Sequence, residues 1–481
     1  MAKYYDTLLA EYVKNPGIRW LSLDAICVRD FEYGMISYDE ITSKKKINFV
    51  DVALNDAAIY SGEDVYMTAQ LYAWQKTYWD TKNTWILDNM EQPLIDIIAT
   101  MELDGVKIHR DKLKEIGIKL ENEIALLEKS IHHIADEVFN INSPKQVGEI
   151  LFEKLGLPKW KKTKTGYSVS AEVLNELATQ YEIASQITLY RHYSKLKSTY
   201  IEWICELLDE DDFVHTSYNQ AVTTTGRLSS TAPNLQNIPT GSGVAGEIRE
   251  AFISRWDWWT MMALDYSQVE VRILALMSWD ENLLDIFKNG EDMHAKTAKF
   301  IGTNERRIAK AVNFGVIYGI SAFWLSKNIN IPIVDAKKYI DGFNASYPKV
   351  AAFFEDIVEQ ATQKWYAQTV YGRRRYLPGL SDKNAIMKKA AQREAMNMPI
   401  QWTSADIIKL AMIEVAAFLD KKELKTKMIM QVHDELVFDV YPGEEEVIET
   451  EVKIIMENIF SDKTIPLKVD VGQGATWKEA K

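Results

Sequence analysis

The sequence predicts an α+β protein built from several subdomains, and three observations support this fold class. The chain has 481 residues, which is too long for one ordinary hydrophobic core. Several long stretches carry apolar residues at helical spacing, as Leu113, Ile116 and Leu120 do. Separate apolar runs, two of them near the C-terminal end, have the composition of buried strands.

The predicted elements follow one another along the chain. Helices are expected at 51–79, 110–136, 170–207, 303–330, 348–368 and 382–420. A strand that begins at about 258 turns into a helix by 276, a hairpin is centred on residue 433, and a final strand covers 466–472. Turn-forming residues predict loops at 140–170 and 223–243.

The charge of the chain is unevenly distributed. The net charge of −13 argues weakly against a nucleic-acid partner. However, residues 154–200 hold eight Lys or Arg and three Glu, and residues 371–393 hold seven basic side chains and one Asp. Residues 441–460 hold six Glu and one Lys. This segregation indicates either a basic groove with an acidic exterior or ordinary solvated helix faces.

Apolar runs and cysteines indicate the compartment. The start of the chain has no apolar stretch of signal-peptide length, and no later window has the run that a membrane span requires. We therefore expect no membrane partner and a cytoplasmic protein. Cys27 and Cys205 lie far apart in the sequence, so they predict neither a disulfide framework nor a zinc site.

Acidic residues interrupt the apolar hairpin QVHDELVFDV, residues 431–440. Asp434 and Glu435 stand between apolar runs, and a buried carboxylate is costly unless it is paired or bound to a metal. Asp265 also follows a strand-like run, MMAL. Brought together, two strand-end acids would suit Mg²⁺, although Asp at a strand end is also a common turn residue. Because side chains alternate along a strand, we expect Asp434 to be the direct ligand and Glu435 to support it.

The segment RRIAKAVNFGVIYG, residues 306–319, predicts a helix that ends in glycine. Arg306, Lys310, Phe314 and Tyr318 recur every four residues along one side. Arg306 and Phe314 would lie roughly 12 Å apart, which suits a nucleoside triphosphate laid along the helix. The alternative is a surface helix with two ordinary cations and two core aromatic residues.

Six segments resemble the motifs of the family A DNA polymerases, the group that includes bacterial DNA polymerase I. DYSQVEVR, RRIAKAVNFGVIYG and QVHDELVF resemble motifs A, B and C, and TTTGRLSSTAPNLQNIP, GRRRYLP and MNMPIQWTSADIIK are further matches in the same order. The resemblance implies a right-hand fold of palm, fingers and thumb. It implies a partial exonuclease-like region at 1–85, mainly thumb at 86–210, palm at 211–290, fingers at 291–375 and palm again at 376–481.

The resemblance also implies the roles of individual residues. The implied ligands of two Mg²⁺ ions, or alternatively Mn²⁺, are Asp265, Asp434 and the backbone carbonyl of Tyr266; the implied catalytic residues are Asp265, Asp434, Glu435 and Lys310. The implied nucleotide-binding residues are Arg306, Lys310, Phe314, Tyr318, His294, Gln268 and Glu270, the last as the side chain that excludes a ribose 2′-hydroxyl. The implied DNA-binding residues are Arg227, Asn237, Arg373, Asn397, Gln401 and His433.

The resemblance implies a template-directed DNA polymerase of bacterial or viral origin that uses primer–template DNA and dNTPs. Alternatives are a single-subunit RNA polymerase, which Glu270 and Phe314 disfavour, and a catalytically silent duplex-binding protein. The chain departs from the family pattern in three places: FIGTNERR is compressed, Trp402 stands where glycine is usual, and TGSGVAGE replaces a charged loop. None of these departures removes a catalytic side chain.

The segment YSGED, with Tyr60 and Asp64, resembles the third motif of the family's 3′-5′ exonuclease. The first two exonuclease motifs would lie upstream of this point. We therefore expect a chain that polymerises without proofreading. Either it is a fragment, or a separate polypeptide completes the exonuclease domain by pairing with residues 1–85.

Overall fold

A four-stranded antiparallel sheet, the central sheet, joins segments that are far apart in the sequence. In spatial order its strands are Lys427–Val432, Glu435–Val440, Thr260–Tyr266 and Val469–Gly474. The structure is a computed structural model that describes residues 4–17, 20–77, 79–159, 162–163, 166–241, 243–462 and 464–481. The predicted hairpin, the predicted final strand and the predicted passage from strand to helix are confirmed, the helix being Val269–Ser278.

Because side chains alternate along the strands, the two faces of the central sheet belong to two different hydrophobic cores. Met262 and Leu264 pack in one core with residues of the long helix Ala385–Lys421, such as Ile407. Met261 and Ala263 point to the other face, where they join a core with the helix Arg110–Ala135. Since helices cover both faces, the strands read as continuous apolar runs rather than as an alternating pattern.

The N-terminal region is helical. Its helices are Thr7–Lys14, Leu23–Phe31, Tyr38–Ile41, Leu54–Gln75 and Thr81–Ile86, with a short 3₁₀ turn at Phe49–Asp51. The predicted helix over 51–79 corresponds to Leu54–Gln75, which buries only Met67, Leu71 and Gln75. Leu54 and Val65 on the same helix are 84% and 71% exposed, so its outer face includes uncovered apolar side chains.

The next segment contains the helices Gln92–Asp104, Arg110–Ala135, Pro144–Gly148, Ala171–Ala178, Glu182–Leu196 and Trp203–Leu207. Turns with π-helical bonding lie at Leu87–Glu91, Glu149–Lys154 and Lys197–Glu202. The prediction of one helical stretch over 170–207 is wrong at residues 179–181. There the amides of Gln180 and Tyr181 both bond the Leu177 carbonyl, which closes the first helix before the next begins.

Six helices lie between the helix Val269–Ser278 and the long helix: Glu281–Lys288, Met293–Ile301, Arg306–Ile317, Ala322–Ile329, Ile333–Ser346 and Pro348–Lys364. The predicted stretch over 303–330 is interrupted, because Gly319 takes a φ of +66° and Ser321 caps the following helix. The predicted stretch over 348–368 ends at Lys364, and Tyr366–Gln368 instead forms a strand.

The remaining elements are short. Two-stranded sheets pair Val106–Lys107 with Phe213–Val214, Lys162–Thr163 with Gly166–Tyr167, Ser217–Asn219 with Ser229–Thr231, and Tyr366–Gln368 with Arg374–Tyr376. Short helical turns lie at Leu235–Asn237, Val244–Glu247, Ile248–Ala251, Pro378–Ser381, Glu445–Val447 and Ile448–Val452, followed by the helix Lys453–Asn458. Within the described residues, every helix is too short or too polar to cross a membrane.

Candidate active site

Three carboxylates lie side by side at one end of the central sheet. Glu435 is directly opposite Asp265 on one neighbouring strand, and Asp470 is opposite Asp265 on the other. Residues directly opposite each other in antiparallel strands point to the same face, where like charges destabilise the sheet. Lys481 offsets this repulsion, since its Nζ lies 3.3 Å from Asp265 Oδ2 and bonds the Glu435 carboxylate.

The environments of Asp265 and Glu435 differ. Partial burial raises the pKa of Asp265, and the charges of Glu435 and Asp434 raise it further, while Lys481 opposes the shift. The Glu435 side chain is buried, and its Oε1 accepts a hydrogen bond of 2.8 Å from Trp477 Nε1. The Glu435 carboxylate is therefore not free, because Trp477 and Lys481 hold it beside Asp265.

Asp434 lies in the turn that precedes Glu435. His433, which is exposed, takes a φ of +54° there, and the Asp434 carbonyl accepts the Tyr266 amide at 3.1 Å. The Asp434 side chain faces the long helix, where Ser404 Oγ donates to its Oδ1 at 3.4 Å. The turn thus separates Asp434 from the buried position of Glu435, as the sequence predicted.

The oxygen atoms at this sheet end fit a hard divalent cation. Asp265, Asp434 and the Tyr266 carbonyl supply oxygen donors only, which suits Mg²⁺ held by one or two carboxylates and by substrate phosphates. Among the described residues, no three side chains of the types His, Cys, Asp or Glu form a group that could hold a metal by themselves. The donor set therefore matches an ion that a phosphate-bearing substrate helps to bind.

The helix Arg306–Ile317, the Arg306 helix, presents the predicted face to solvent. Arg306 and Lys310 are exposed, and Phe314 and Tyr318 are partly exposed. Their rings are stacked, with centroids 6.5 Å apart. The opposite face is buried through residues such as Val312, so the four side chains form one accessible stripe.

Two residues outside the Arg306 helix, Asp292 and His294, bond side chains of this helix. Arg306 Nε donates to Asp292 Oδ2 at 2.7 Å, although the arginine side chain remains 58% exposed. His294 is buried, and its Nδ1 bonds Asn313 at 2.8 Å. Burial and the charge of Arg306 lower the pKa of His294, so its imidazole is neutral at pH 7.

A chain of polar contacts links the Arg306 helix to the sheet end. Tyr318 Oη donates to Glu270 Oε2 at 2.5 Å, and Arg227 Nη2 donates to Glu270 Oε1 at 2.7 Å. The same Arg227 nitrogen lies 3.7 Å from Asp434 Oδ1. Burial raises the pKa of Glu270, whereas its bonds to Tyr318 and Arg227 favour the charged carboxylate. Glu270 is thereby fixed between the Arg306 helix and the end of the central sheet that carries the carboxylates.

The predicted nucleotide face also borders a cavity. A space of about 890 Å³ lies elsewhere in the molecule, whereas the one at the Arg306 helix measures about 620 Å³. Its lining includes Lys310, Phe314, Tyr318, Trp324 and Arg393. Cations and aromatic rings around one space are the side chains that bind nucleotides by charge and by stacking.

The other predicted contacts surround this centre. Gln268 begins the helix Val269–Ser278 with a left-handed φ of +52°. Asn397 and Gln401 are partly exposed on the long helix. They lie one turn apart, and Gln401 lies one turn before Ser404, so all three share a side of the helix. Asn237 is exposed at the end of its turn, where its carbonyl accepts the Tyr200 hydroxyl at 2.7 Å.

The structure contradicts the prediction that Arg373 contacts the primer–template duplex. The Arg373 side chain has no exposed surface. Its guanidinium donates to Glu91 Oε1 at 2.6 Å and to Asp406 Oδ1 at 2.8 Å. A guanidinium held between two buried carboxylates is out of reach of a DNA phosphate, so Arg373 stabilises the interior instead.

The sequence analysis missed Lys481, Trp477, Asp470 and Ser404. The strand PLKVDVG showed that Asp470 interrupts an apolar run, but the sequence did not reveal which strand it pairs with. Ser404 lies three residues after Gln401, and this helical spacing was a usable signal. Lys481 and Trp477 approach the acids only through the tertiary fold.

Known proteins resemble this chain over most of its length. The family model for DNA polymerase family A matches residues 110–479. DNA polymerase I of Bacillus subtilis (strain 168) is 43% identical over 489 residues, which cover 99% of this chain and 55% of that protein. DNA polymerase I of Geobacillus stearothermophilus is 40% identical over 490 residues, with the same coverage of 99% and 55%. The chain therefore spans about half the length of the curated relatives it matches.

A solved structure agrees with the family match. It is described as the POL domain of Pol1 from M. smegmatis in complex with DNA primer-template and dNTP. The TM-score is 0.84 at 34% sequence identity, and the match covers 99% of this chain and 82% of that chain. The likeness confirms the predicted α+β right-hand polymerase fold. The chain belongs to DNA polymerase family A.

Proposed function

We propose that this chain is a template-directed DNA polymerase, which adds deoxyribonucleotides to a primer 3′ end and releases pyrophosphate. The observation that carries the proposal is the contact chain Tyr318–Glu270–Arg227–Asp434, in which the last step is the 3.7 Å approach of Arg227 to Asp434. This chain of contacts joins the cations and aromatic rings of the Arg306 helix to the end of the central sheet that carries the carboxylates. Triphosphate and primer terminus would meet between them.

The subdomain boundaries belong to the proposal. Residues 86–210 would form mainly the thumb, 211–290 and 376–481 the palm, and 291–375 the fingers. The central sheet supports the palm assignment, because its strands come from both proposed palm segments. The six helices between Glu281 and Lys364 support the fingers assignment.

Asp265, Asp434 and the Tyr266 carbonyl would hold the divalent cations, Mg²⁺ or alternatively Mn²⁺. Bound there, the ions would neutralise charge on the phosphates during transfer. The chain's own residues would bind and orient the substrate: Arg306 and Lys310 the phosphates, Phe314 and Tyr318 the base and sugar. Lys310 is exposed and is not tied to a buried carboxylate, so it is available to a phosphate.

Glu270 would select against ribonucleotides. Its two carboxylate oxygens are held by Tyr318 and Arg227, so the side chain has little freedom to move away from a 2′-hydroxyl. A fixed side chain excludes by contact, which is a stronger discrimination than a mobile one gives. Gln268, at the start of the same helix, would border the nucleotide.

Primer extension tests the proposed function. The purified chain, a primed template, Mg²⁺ and each dNTP in turn should yield extension only with the nucleotide complementary to the template. A chain that binds the duplex but never extends the primer would instead be a silent duplex-binding protein. A chain that prefers rNTPs would be an RNA polymerase.

We further propose that residues 1–85 do not excise nucleotides. Tyr60 lies beside Asp64, and burial together with the charge of Asp24 raises the pKa of Asp64. The sequence resembles only the third of the family's exonuclease motifs, and a two-metal nuclease requires further carboxylate ligands.

A nuclease assay tests this second part of the proposal. The chain is incubated with a 3′-labelled mismatched primer and Mg²⁺, without dNTPs, and no mononucleotide should be released. Release that persists in Asp434→Asn but stops in Asp64→Ala would contradict the proposal. Asp434→Asn is the matched control because it removes the polymerase ligand only.

The exposed face of residues 4–75 would bind protein. Leu54, Ile59, Val65 and Tyr66 are each more than 60% exposed on one helix. Apolar patches of this kind mark interaction surfaces. The occupant would be a polypeptide that completes the exonuclease-like domain. The cytoplasmic location and the bacterial or viral origin stay predictions.

A further inference from the structure

The loop that carries Arg227, residues 222–227, is held from two sides by residues outside the predicted polymerase site. We call it the Arg227 loop. On one side it meets Tyr12, from the N-terminal region. On the other side it meets Trp402, from the long helix. Both side chains are 1% exposed, so they are fixed parts of the interior.

Tyr12 makes a single polar contact that crosses between the regions. Its hydroxyl donates to the Thr223 carbonyl at 3.0 Å, and Thr223 Oγ1 donates to the Arg227 carbonyl at 2.6 Å. Burial raises the pKa of Tyr12 to about 12, so the hydroxyl keeps its proton at neutral pH. A cavity of about 890 Å³ lies beside this contact and is lined by Tyr12, Thr223 and Thr224.

Trp402 closes the opposite side. Gly226 has a φ of +75°, and a Cβ placed on it would lie 3.6 Å from Trp402 Cδ2, so the loop backbone rests on the indole. The Arg375 guanidinium lies 5.9 Å from the Trp402 ring centre and donates to the Thr224 carbonyl at 3.1 Å. The loop is therefore fixed over the residues that immediately precede Arg227.

We propose that Tyr12 is a positioning residue for the polymerase site, which acts by holding the Arg227 loop against Trp402. Arg227 then reaches Glu270 at 2.7 Å and approaches Asp434 at 3.7 Å. The N-terminal region, which has no proposed chemistry of its own, thereby sets the geometry of the side chain that excludes ribonucleotides. The inference rests on the proposed roles of Arg227 and Glu270.

Tyr12→Phe tests the inference, with Tyr33→Phe as the matched control. Tyr33 lies in the same region, and its hydroxyl bonds Glu63 far from the loop. Loss of one hydrogen bond should raise the KM for dNTP and lower the preference for dNTP over rNTP by about threefold to tenfold in Tyr12→Phe. Tyr33→Phe should keep the values of the parent.

A double-mutant cycle separates positioning from a general loss of stability. In an Arg227→Ala background, Tyr12→Phe should cause no further change in nucleotide preference, because the residue through which it acts is gone. A Tyr12→Phe effect of the same size in both backgrounds would overturn the inference. So would a Tyr12→Phe variant with the preference of the parent.

Hydrogen exchange gives a readout that does not depend on activity. The amides of residues 222–228 should exchange several-fold faster in Tyr12→Phe than in the parent or in Tyr33→Phe. Equal rates would contradict the inference even if the chain polymerises DNA. The proposed function can fail separately, if the parent chain never extends a primer. In that case faster exchange of the loop amides in Tyr12→Phe would still show that Tyr12 holds the Arg227 loop.

Trp402→Phe gives a second variant from the other side of the loop. The phenyl ring keeps apolar contact with Gly226, so this variant should retain more of the nucleotide preference than Trp402→Gly, which also empties a buried site inside a helix and should lower the thermal stability. If Trp402→Gly keeps the full preference for dNTP over rNTP, the Arg227 loop does not depend on the indole. The inference that the loop is held against Trp402 would then be refuted.

Discussion

Two regions of this molecule use the same kinds of side chain in opposite ways. The Arg306 helix carries cations at the surface, and the Arg306 side chain is 58% exposed. The buried charge cluster consists of Glu91, Arg373, Asp406 and Lys409, whose side chains have no exposed surface. In the first region the charges are available to a ligand, and in the second they satisfy one another.

The buried charge cluster joins three parts of the chain. Lys409 Nζ lies 2.7 Å from Glu91 Oε1, and Arg373 bonds both Glu91 and Asp406. Although burial raises the pKa of Glu91, the charges of Lys409 and Arg373 lower it to about 2. Removal of one member leaves an uncompensated buried charge, which is strongly destabilising. The comparison teaches that a cation in a polymerase motif is a DNA contact only if the fold leaves it exposed.

The largest expected effect separates Asp434 from Asp406. Asp434→Asn should slow nucleotide addition by on the order of 10³-fold or more, because a proposed metal ligand is lost, with thermal stability unchanged. Asp406→Asn should mainly destabilise the fold. Single-turnover primer extension and urea denaturation of both variants measure the two effects. Near-parent extension by Asp434→Asn would contradict the metal assignment, and Asp470→Asn is the control for an acid at the same sheet end.

The next effect concerns the two arginines. Arg373→Met should lower the free energy of unfolding by about 3–5 kcal/mol, because buried Asp406 loses its ion-pair partner and Glu91 loses one of its two cations. Arg306→Met should leave stability within about 0.5 kcal/mol of the parent. Urea denaturation measures both. If the two variants were equally stable, burial would not be what distinguishes the regions.

Lys310→Met sharpens the comparison with Lys409. We expect the Lys310 variant to lose about 10²-fold in kcat/KM for dNTP, since one charge-assisted phosphate contact disappears, at parent stability. Steady-state kinetics with one dNTP measure this loss. Lys409→Met is the buried counterpart and should instead lower stability. Unchanged kinetics in Lys310→Met would remove the lysine from the site.

Glu270→Ala should relax sugar selection. Without the carboxylate that Tyr318 and Arg227 hold in place, no fixed acidic side chain crowds a 2′-hydroxyl, so the preference for dNTP over rNTP should fall by about tenfold to a hundredfold. Competition between dNTP and rNTP in primer extension measures the ratio. A variant as selective as the parent would show that another side chain is the gate.

The smallest expected effect is on acid stability. The pKa of Glu91 is lowered to about 2 in the folded chain, so its contribution is present above its ordinary pKa near 4.5 and is lost as pH falls toward 2. Between pH 6 and pH 3 the parent should lose about 2 kcal/mol of unfolding free energy from this group, and Glu91→Gln should not. Urea denaturation across this range measures the slopes, and equal slopes would contradict the shift.

The sequence determined the local elements and the motif residues of the site. Strand-like runs at 258–266 and around 433, and the four-residue spacing of Arg306, Lys310, Phe314 and Tyr318, follow from side-chain periodicity, which is a local property. The turn at His433 and Asp434 was predictable for the same reason. The helix end at 179–181 was missed, since apolar spacing continues across it, whereas the end of the Arg306 helix at Gly319 was predicted.

Only the tertiary structure decided which charged residues are free. Arg373, Arg374 and Arg375 stand together in GRRRYLP and look equivalent, yet Arg373 alone of the three is completely buried. The same holds for Lys481 beside Asp265 and for Tyr12 beneath the Arg227 loop, whose partners lie more than 200 residues away. Burial and pairing depend on which distant segments meet, and local periodicity carries no information about that meeting.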